Sequence, residues 1–468
     1  MRVQRKSNGQ LLSLGDHCLL GSGGEARIYV VPQVSSLAAK IWHKPTLERA
    51  RKLRAMLANP PSDPMIHHGH ISIAWPTDLL QTPDQLHIIV GFLMARVTGM
   101  NPIIDFFNPK TRRRKCPLFN YFYLHRTARN LAIAVRALHE RGYVIGDLNE
   151  SNILVSDTAL VTLVDTDSFQ VWDAENGQAY RCRVGKPEFT PPELQGRPFA
   201  QFDREPAHDL FGLSVILFQL LMEGTHPYAG AFNGKGDPPP YEARIRVGHF
   251  PHAKDPRVPY VPKPTAPSFD MLHPSLQHLF IRCFQDGYRD PGLRPVTLSW
   301  QCALEEAENA LVTCWINPQH IYSGHLDACP WCARTKSLGG RDPFPTPEAV
   351  KVGQHLREVR RPATSPQPQR PGYGSAGYPP IPKPIPSSKS STSSTGIFRP
   401  RPYFGSARRN DWAWTGLVVG LVALSSGILL PRSWAALSLV LGLLALLLGS
   451  VAEIQSRSWS SDGQGSCI

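Results

Sequence analysis

Tyr143-Val144-Ile145-Gly146-Asp147-Leu148-Asn149-Glu150-Ser151-Asn152-Ile153-Leu154-Val155 is the stretch that decides how the chain is read. An acidic residue follows a glycine, and an asparagine follows five positions later. The apolar run from Ile153 to Val155 predicts a short strand. The next apolar run ends in Val164-Asp165-Thr166-Asp167. A loop supplying Asp147 and Asn152 beside a strand end supplying Asp165 offers a base and hard oxygen ligands. Magnesium takes one or two carboxylates, with phosphates and waters completing its shell. A hydroxyl that accepts a phosphoryl group needs a carboxylate nearby to receive its proton.

Outward from this loop the chain changes character twice. It has 468 residues and a formal net charge of +13, enough length for two or three domains. The nine cysteines include one CxxC and are otherwise scattered, as in a reducing compartment. The polar N-terminal stretch has no apolar core, so no secretory signal is expected. The first hundred residues predict mostly strands with one helix. Leu19–Val31 reads as strand, turn and strand, Leu37–Trp42 as the next strand, and Leu86–Val90 as the clearer of two later ones. Thr46 is placed to cap a helix over 47–57, with Leu47, Ala50, Leu53 and Leu57 on one face. From Tyr121 the pattern turns helical. Leu124, Ala128, Leu131, Val135 and Leu138 repeat at helical spacing up to Gly142. Leu210–Met222 predicts a buried helix, too short to span a bilayer. Residues 276–283 and 298–311 predict two more. The expected class is α+β, in two lobes.

These residues carry a resemblance to the protein-kinase superfamily over about 14–310. Gly21-Ser22-Gly23-Gly24-Glu25-Ala26-Arg27-Ile28 is similar to the kinase glycine-rich loop, with Ala26 in place of the third glycine. Lys40 resembles the strand lysine that contacts nucleotide phosphates. Met94, Ala95 and Arg96 resemble the adenine-binding hinge. Gly146-Asp147-x-x-x-x-Asn152 resembles the catalytic loop and Asp165 the metal-binding aspartate. The resemblance implies ATP as substrate, Mg²⁺ (or Mn²⁺) held by Asn152 and Asp165, and Asp147 serving the acceptor. Each residue alone also fits a turn, a cap or a strand end. Thr190-Pro191-Pro192-Glu193 resembles the end of the activation segment. Asp209 resembles the aspartate that braces the catalytic loop, and Arg294 the arginine that pairs with that glutamate. The implied roles of Glu193, Asp209 and Arg294 are structural.

The departures are equally specific. Ile145-Gly146 stands where kinases usually carry His-Arg, so a phosphate on the activation segment lacks its usual anchor. Asn149 replaces a lysine that touches the γ-phosphate. Thr166-Asp167 follows the metal-binding aspartate, and Lys40 has no glutamate at the usual distance, Glu48 being the nearest. This variant set is similar to the atypical bacterial YegI-like serine/threonine kinases. It implies a membrane-anchored serine/threonine protein kinase acting on protein substrates. The alternatives are a nucleotide-binding pseudokinase or scaffold, and a small-molecule phosphotransferase.

After the kinase-like region, 1–310 (lobes 1–98 and 99–310), comes a candidate zinc knuckle over 311–335. Cys314, His320, Cys329 and Cys332 offer a tetrahedral set, with His325 a rival for the histidine place. Residues 336–410, rich in Pro and Ser, are expected to be a disordered linker. Trp412–Leu430 and Trp434–Ala452 each have 19 residues, or roughly 28 Å of helix. Pro431-Arg432-Ser433 between them predicts a transmembrane hairpin, since a single bent helix would strand Arg432 mid-bilayer at about 2.5–3.5 kcal/mol. The arginines before it (Arg399, Arg401, Arg408, Arg409) put that side, the kinase-like domain and the 454–468 tail in the cytoplasm of a bacterial inner membrane. The basic run Lys110–Lys115 is read as a solvated loop, with anionic lipid heads as a second use and nucleic acid not expected. The oligomeric state is not legible.

Overall fold

The computed structural model describes residues 1–357 except Lys254. The N-terminal lobe is one seven-stranded sheet with the strand order β2-β1-β6-β7-β5-β4-β3. Its strands are β1 (Arg2–Arg5), β2 (Leu11–Ser13), β3 (Leu19–Ser22), β4 (Ala26–Val30), β5 (Leu37–Trp42), β6 (Pro76–Gln81) and β7 (Ile89–Ala95). The hairpin β1–β2 was not legible in the polar N-terminal sequence; only Val3 and Leu12 of it are deeply buried. The strand expected at Leu86–Val90 starts later, at Ile89. Leu86 is exposed and His87 takes a positive φ of 45°, which marks a turn. Within the sheet β5 and β7 lie so close that a Cβ on Gly91 would fall 2.0 Å from the carbonyl oxygen of Lys40. Only glycine fits there.

Helix α1 (Leu47–Ala58) packs on this sheet and is capped by Thr46, whose hydroxyl accepts from the Arg49 N–H at 3.2 Å. Its buried face is Ala50, Lys52, Leu53 and Met56. Leu47, expected on that face, is exposed.

The C-terminal lobe is helical. Its frame is α4 (Tyr121–His139) and α5 (Pro206–Leu221), preceded by α2 (Ile104–Phe107) and α3 (Pro109–Lys115). Nearly every residue of α5 from Asp209 on is buried, as its unbroken apolar run requires. The basic run is not a solvated loop. It forms α3 and buries Arg112, whose Nη1 donates to Phe106 O at 2.8 Å while its guanidinium lies over the Phe344 ring. A long apolar stem on Arg lets a charged residue bury when carbonyls and an aromatic face receive its head.

The same contact corrects the linker boundary. Residues 338–357 carry a helix at Pro347–Lys351 and bury Phe344 against Trp331 and Tyr121. A buried aromatic anchors a stretch that composition alone reads as disordered. Among the described residues no helix is long and apolar enough to cross a membrane; the expected hairpin at 412–430 and 434–452 lies outside them.

Candidate active site

The loop after α4 is set by Asp209 at the start of α5. Its two carboxylate oxygens accept the N–H groups of Ile145 and Gly146, each at 2.7 Å, and His139 Nε2 lies 3.0 Å away. Two backbone donors on one buried carboxylate fix the loop's direction. Strand β8 (Ile153–Val155) then pairs with β9 (Val161–Leu163), and β9 leads to Asp165. The hairpin therefore returns the chain beside the loop it left, and Val164 N–H donates to Asn152 O at 3.0 Å.

Asp147 is held by two asparagines. Asn149 Nδ2 donates to its Oδ1 at 2.8 Å and to its carbonyl at 3.0 Å. Asn152 Nδ2 donates to the same carbonyl at 3.0 Å. Asn149, at the position of the missing lysine, is buried and orients the candidate base. Asn152 spends its nitrogen on Asp147, so its oxygen is the atom available to a metal.

Lys40 comes from β5, opposite Ile28 of β4. Its Nζ lies 2.5 Å from Asp165 Oδ1 and 2.5 Å from Asp167 Oδ1. Burial opposes its charge, but the carboxylates of Asp167 and Asp165 outweigh that and raise its pKa. The two carboxylates are not alike. Asp167 is nearly fully buried yet held below the usual carboxylate range. Burial would raise it, and Lys40, the Trp42 indole N–H at 3.2 Å and Lys52 overcome that. Asp165 is raised, first by burial and with Asp167 adding to it. Both carboxylates pair with Lys40, the Asp167 side chain 11% exposed and the Asp165 side chain 40% exposed. Asp165 sits at φ 60°, a left-handed conformation that Asp tolerates better than most residues.

No carboxylate of α1 reaches Lys40. Glu48 pairs with Arg183 at 2.8 Å. The inward position of the helix is Lys52, whose Nζ donates to Asp167 O at 2.6 Å and whose pKa burial lowers to about 8. The two motif departures, at 166–167 and in the helix, therefore compensate each other. A cavity of about 340 Å³ lies over this group, bounded by Glu25, Lys40, Trp42 and Asp165 among others.

The glycine-rich stretch forms the β3–β4 turn, with Gly23 N–H on Ala26 O at 2.9 Å and Ser22 opposite Arg27. A Cβ added at Gly21, Gly23 or Gly24 would meet nothing closer than 3.9 Å, so the turn is open around these glycines. The expected hinge residues lie at the end of the sheet. Met94 is paired on both sides, with Ala38 and with Pro76, and Ala95 is paired with Leu37. The Arg96 N–H goes to Ser36 O at 2.8 Å.

Arg204 was not singled out in the sequence. It donates to Gly146 O through Nη1 and to Val184 O through Nη2 at 2.6 Å, and it stacks on Phe199. It joins the catalytic loop to the segment that ends at Glu193. Glu193 in turn accepts from Arg294 Nη1 and Nη2, both at 2.7 Å. Arg294 is fully buried, and such a two-bonded pair fixes geometry as well as energy.

The cysteine segment forms a second centre. The strands Leu311–Thr313 and Ile321–Ser323 pair, and Pro330–Ser337 is helical. One ligand atom from each of Cys314, His320, Cys329 and Cys332 lies within 4.8 Å of the others. His325 faces elsewhere, with Nδ1 2.8 Å from Ser323 Oγ and Nε2 3.1 Å from Asp270 O. His320 Nε2 lies 2.8 Å from Asp342 Oδ1, which leaves Nδ1 toward the sulfurs. Trp331 anchors the segment to the helical lobe, against Tyr121.

No family model matches the chain. Protein kinase YegI of Escherichia coli strain K12 is 33% identical over 331 residues, 70% of this chain and 49% of that protein. The YegI protein of Escherichia coli O157:H7 is 33% identical over 323 residues, 67% of this chain and 48% of that protein. Human ribosomal protein S6 kinase alpha-3 is 26% identical over 222 residues, 45% of this chain and 27% of that protein. A solved structure of the ROP18 kinase domain with AMP-PNP and sucrose matches at TM-score 0.41 and 19% identity, covering 65% of this chain and 82% of its own. The chain spans about half the length of the YegI proteins it matches. The likeness to YegI, together with the Lys40, Asp147, Asn152 and Asp165 geometry, establishes a protein-kinase-like α+β fold.

Proposed function

We propose that the chain is an ATP- and Mg²⁺-dependent protein kinase that phosphorylates serine or threonine hydroxyls of protein substrates. The observation that carries this reading is the meeting of Lys40 with Asp165, 125 residues apart in the chain, beside a loop in which Asp147 is held by Asn149 and Asn152. Asn152 Oδ1 and the Asp165 carboxylate are hard oxygen donors of the kind magnesium takes; a bound ion there would neutralise phosphate charge. Lys40, paired with Asp167, would contact the nucleotide phosphates. Asp147 orients the acceptor hydroxyl and receives its proton as the oxygen attacks the γ-phosphorus.

The purified full chain with radiolabelled ATP and Mg²⁺ is expected to label protein, and Asp147→Ala is expected to abolish the label. Nucleotide binding with no transfer by the wild-type chain favours the second reading, a pseudokinase or scaffold. The observation behind that reading is the absence of a cation within the loop 147–152. A small-molecule phosphotransferase is less consistent with the Glu193–Arg294 pair, which resembles the end of a protein-kinase activation segment.

We also propose Zn²⁺ as a structural metal at Cys314, His320, Cys329 and Cys332. Three thiolates and an imidazole suit zinc, and a carboxylate such as Asp342 on the far nitrogen of the histidine is the usual support. One zinc per chain, lost in Cys329→Ser/Cys332→Ser, is expected from metal analysis; metal retained by that variant would refute the site. Membrane anchoring by the segments 412–430 and 434–452 is proposed from their hydropathy and flanking arginines. A C-terminal reporter active only outside the cytoplasm would overturn the two-span hairpin.

A further inference from the structure

The catalytic loop needs a positive charge that its own sequence does not supply. Between Asp147 and Asn152 it reads Asp-Leu-Asn-Glu-Ser-Asn. Transfer of a γ-phosphoryl group spreads negative charge over its oxygens, and a positioned cation is the usual answer. Lys40, the cation proposed above for the nucleotide phosphates, stands on β5 and not on this loop.

One ammonium does rest on the loop, and it comes from another segment. Lys186 reaches across 35 residues of sequence and sets its Nζ 2.7 Å from Ser151 Oγ and 2.7 Å from Glu150 Oε1. These two residues lie between Asn149, which holds Asp147, and Asn152. The backbone of Lys186 is fixed. Its carbonyl accepts from Thr190 Oγ1 at 2.8 Å and from Phe189 N–H at 3.0 Å. Two residues before it, Val184 O is tied to Gly146 O through Arg204. The stem is thus anchored while the head, partly exposed, sits on two exchangeable side-chain partners.

We propose that Lys186 is a catalytic residue that binds the γ-phosphoryl oxygens, supplied by the activation segment in place of the lysine missing at Asn149. This rests on the kinase reading above. In the transfer, the bond between the γ-phosphorus and the bridging oxygen breaks, and its electron pair leaves on ADP. A bond forms from the acceptor hydroxyl oxygen, and its proton passes to Asp147. Lys186 leaves Glu150 and Ser151 and neutralises the transferring oxygens. A lysine on the activation segment also means that seating this segment delivers a catalytic charge.

The test compares the wild-type full chain with K186M and K186R in Mg²⁺, reading phosphoryl transfer at saturating ATP and the separate affinities for ATP and ADP by calorimetry. A side chain that touches the γ-phosphate affects ATP and not ADP. K186M is expected to lower transfer by about 100- to 1000-fold and to weaken ATP roughly 10-fold, leaving ADP affinity at the wild-type value, which also reports intact folding. K186R is expected to keep the preference for ATP. An unchanged ATP-to-ADP affinity ratio in K186M overturns the proposal, as does an equal loss of both nucleotides, which is what a purely structural tie to Glu150 would produce. If the wild-type chain transfers nothing, the kinase reading fails, and the same ratio still decides whether Lys186 meets the γ-phosphate.

Discussion

A Cβ on Gly146 would lie 2.7 Å from Nη1 of Arg204. The glycine next to the candidate base therefore leaves a space that Arg204 fills, and a side chain at 146 and the Arg204 guanidinium exclude each other. Arg204 ties two segments together with its guanidinium alone. It fastens the activation segment, at Val184 O, to the catalytic loop, at Gly146 O.

Removing that fastening should separate catalysis from nucleotide binding. Arg204→Ala is expected to reduce phosphoryl transfer by about 100-fold through misplacement of the segment, with ATP affinity little changed. Gly146→Ala is expected to lose about 1–3 kcal/mol of stability, since Gly146 has a φ of 75° as well as the close contact. Thermal unfolding and the labelled-ATP assay measure the two effects. Transfer at the wild-type rate by Arg204→Ala would show that the segment is held by something else.

The pair Asp165 and Asp167 should divide in their mutants. Asp167→Asn takes the more buried partner from Lys40, whose side chain is only 12% exposed. Breaking a buried ion pair costs about 3–5 kcal/mol, so the unfolding midpoint should fall. Asp165→Asn is expected to leave stability near wild type while abolishing Mg²⁺-dependent transfer. Equal midpoints for the two variants would contradict the assignment of roles.

Acid should weaken the fold through three histidines. Burial pushes His125, His226 and His252 each down to about 4 from an ordinary value of 6.5. Unfolded chains then bind more protons than folded ones between those limits. Stability is fully present above about pH 6.5 and is lost as pH falls toward 4. The unfolding midpoint, followed from pH 7.5 to 4.5, is expected to drop mainly below 6.5. His226→Gln, which keeps a hydrogen-bond donor for Glu188 O, should flatten part of the slope. A midpoint flat across that range would refute the prediction.

Asp342 should tune the proposed zinc site without contacting the metal. Asp342→Asn is expected to lower zinc affinity by roughly 10- to 100-fold, read by competition with a chromophoric chelator. Cys314→Ser should cost more. Unchanged affinity in Asp342→Asn would mean that its contact with His320 does not set the histidine's basicity.

Much of this was legible in the chain itself. The spacing of Asp147, Asn152 and Asp165 is local: a loop, a strand, a turn and a strand fix it, and nothing distant is needed to read it. The helices at 47–58, 121–139 and 206–221 follow from apolar periodicity and from the Thr46 cap. The CxxC with Cys314 and His320 was equally local, although choosing His320 over His325 required knowing that His325 faces Asp270.

The sequence by itself determined the order of lobes, the base-and-metal loop and the candidate ligands of a metal knuckle, because each is encoded within a short span of backbone. Only the tertiary structure decided who partners whom. Lys40 found its carboxylate in Asp167, 127 residues away, rather than in the following helix, where Lys52 occupies the inward position. Arg112 left the basic run for a site beside Pro343, 231 residues on, and Phe344 drew part of a proline-rich stretch into the core. Such pairings depend on which surfaces the folded lobes bring together, and burial makes an unpaired charge there too costly to leave alone. No local pattern records that choice.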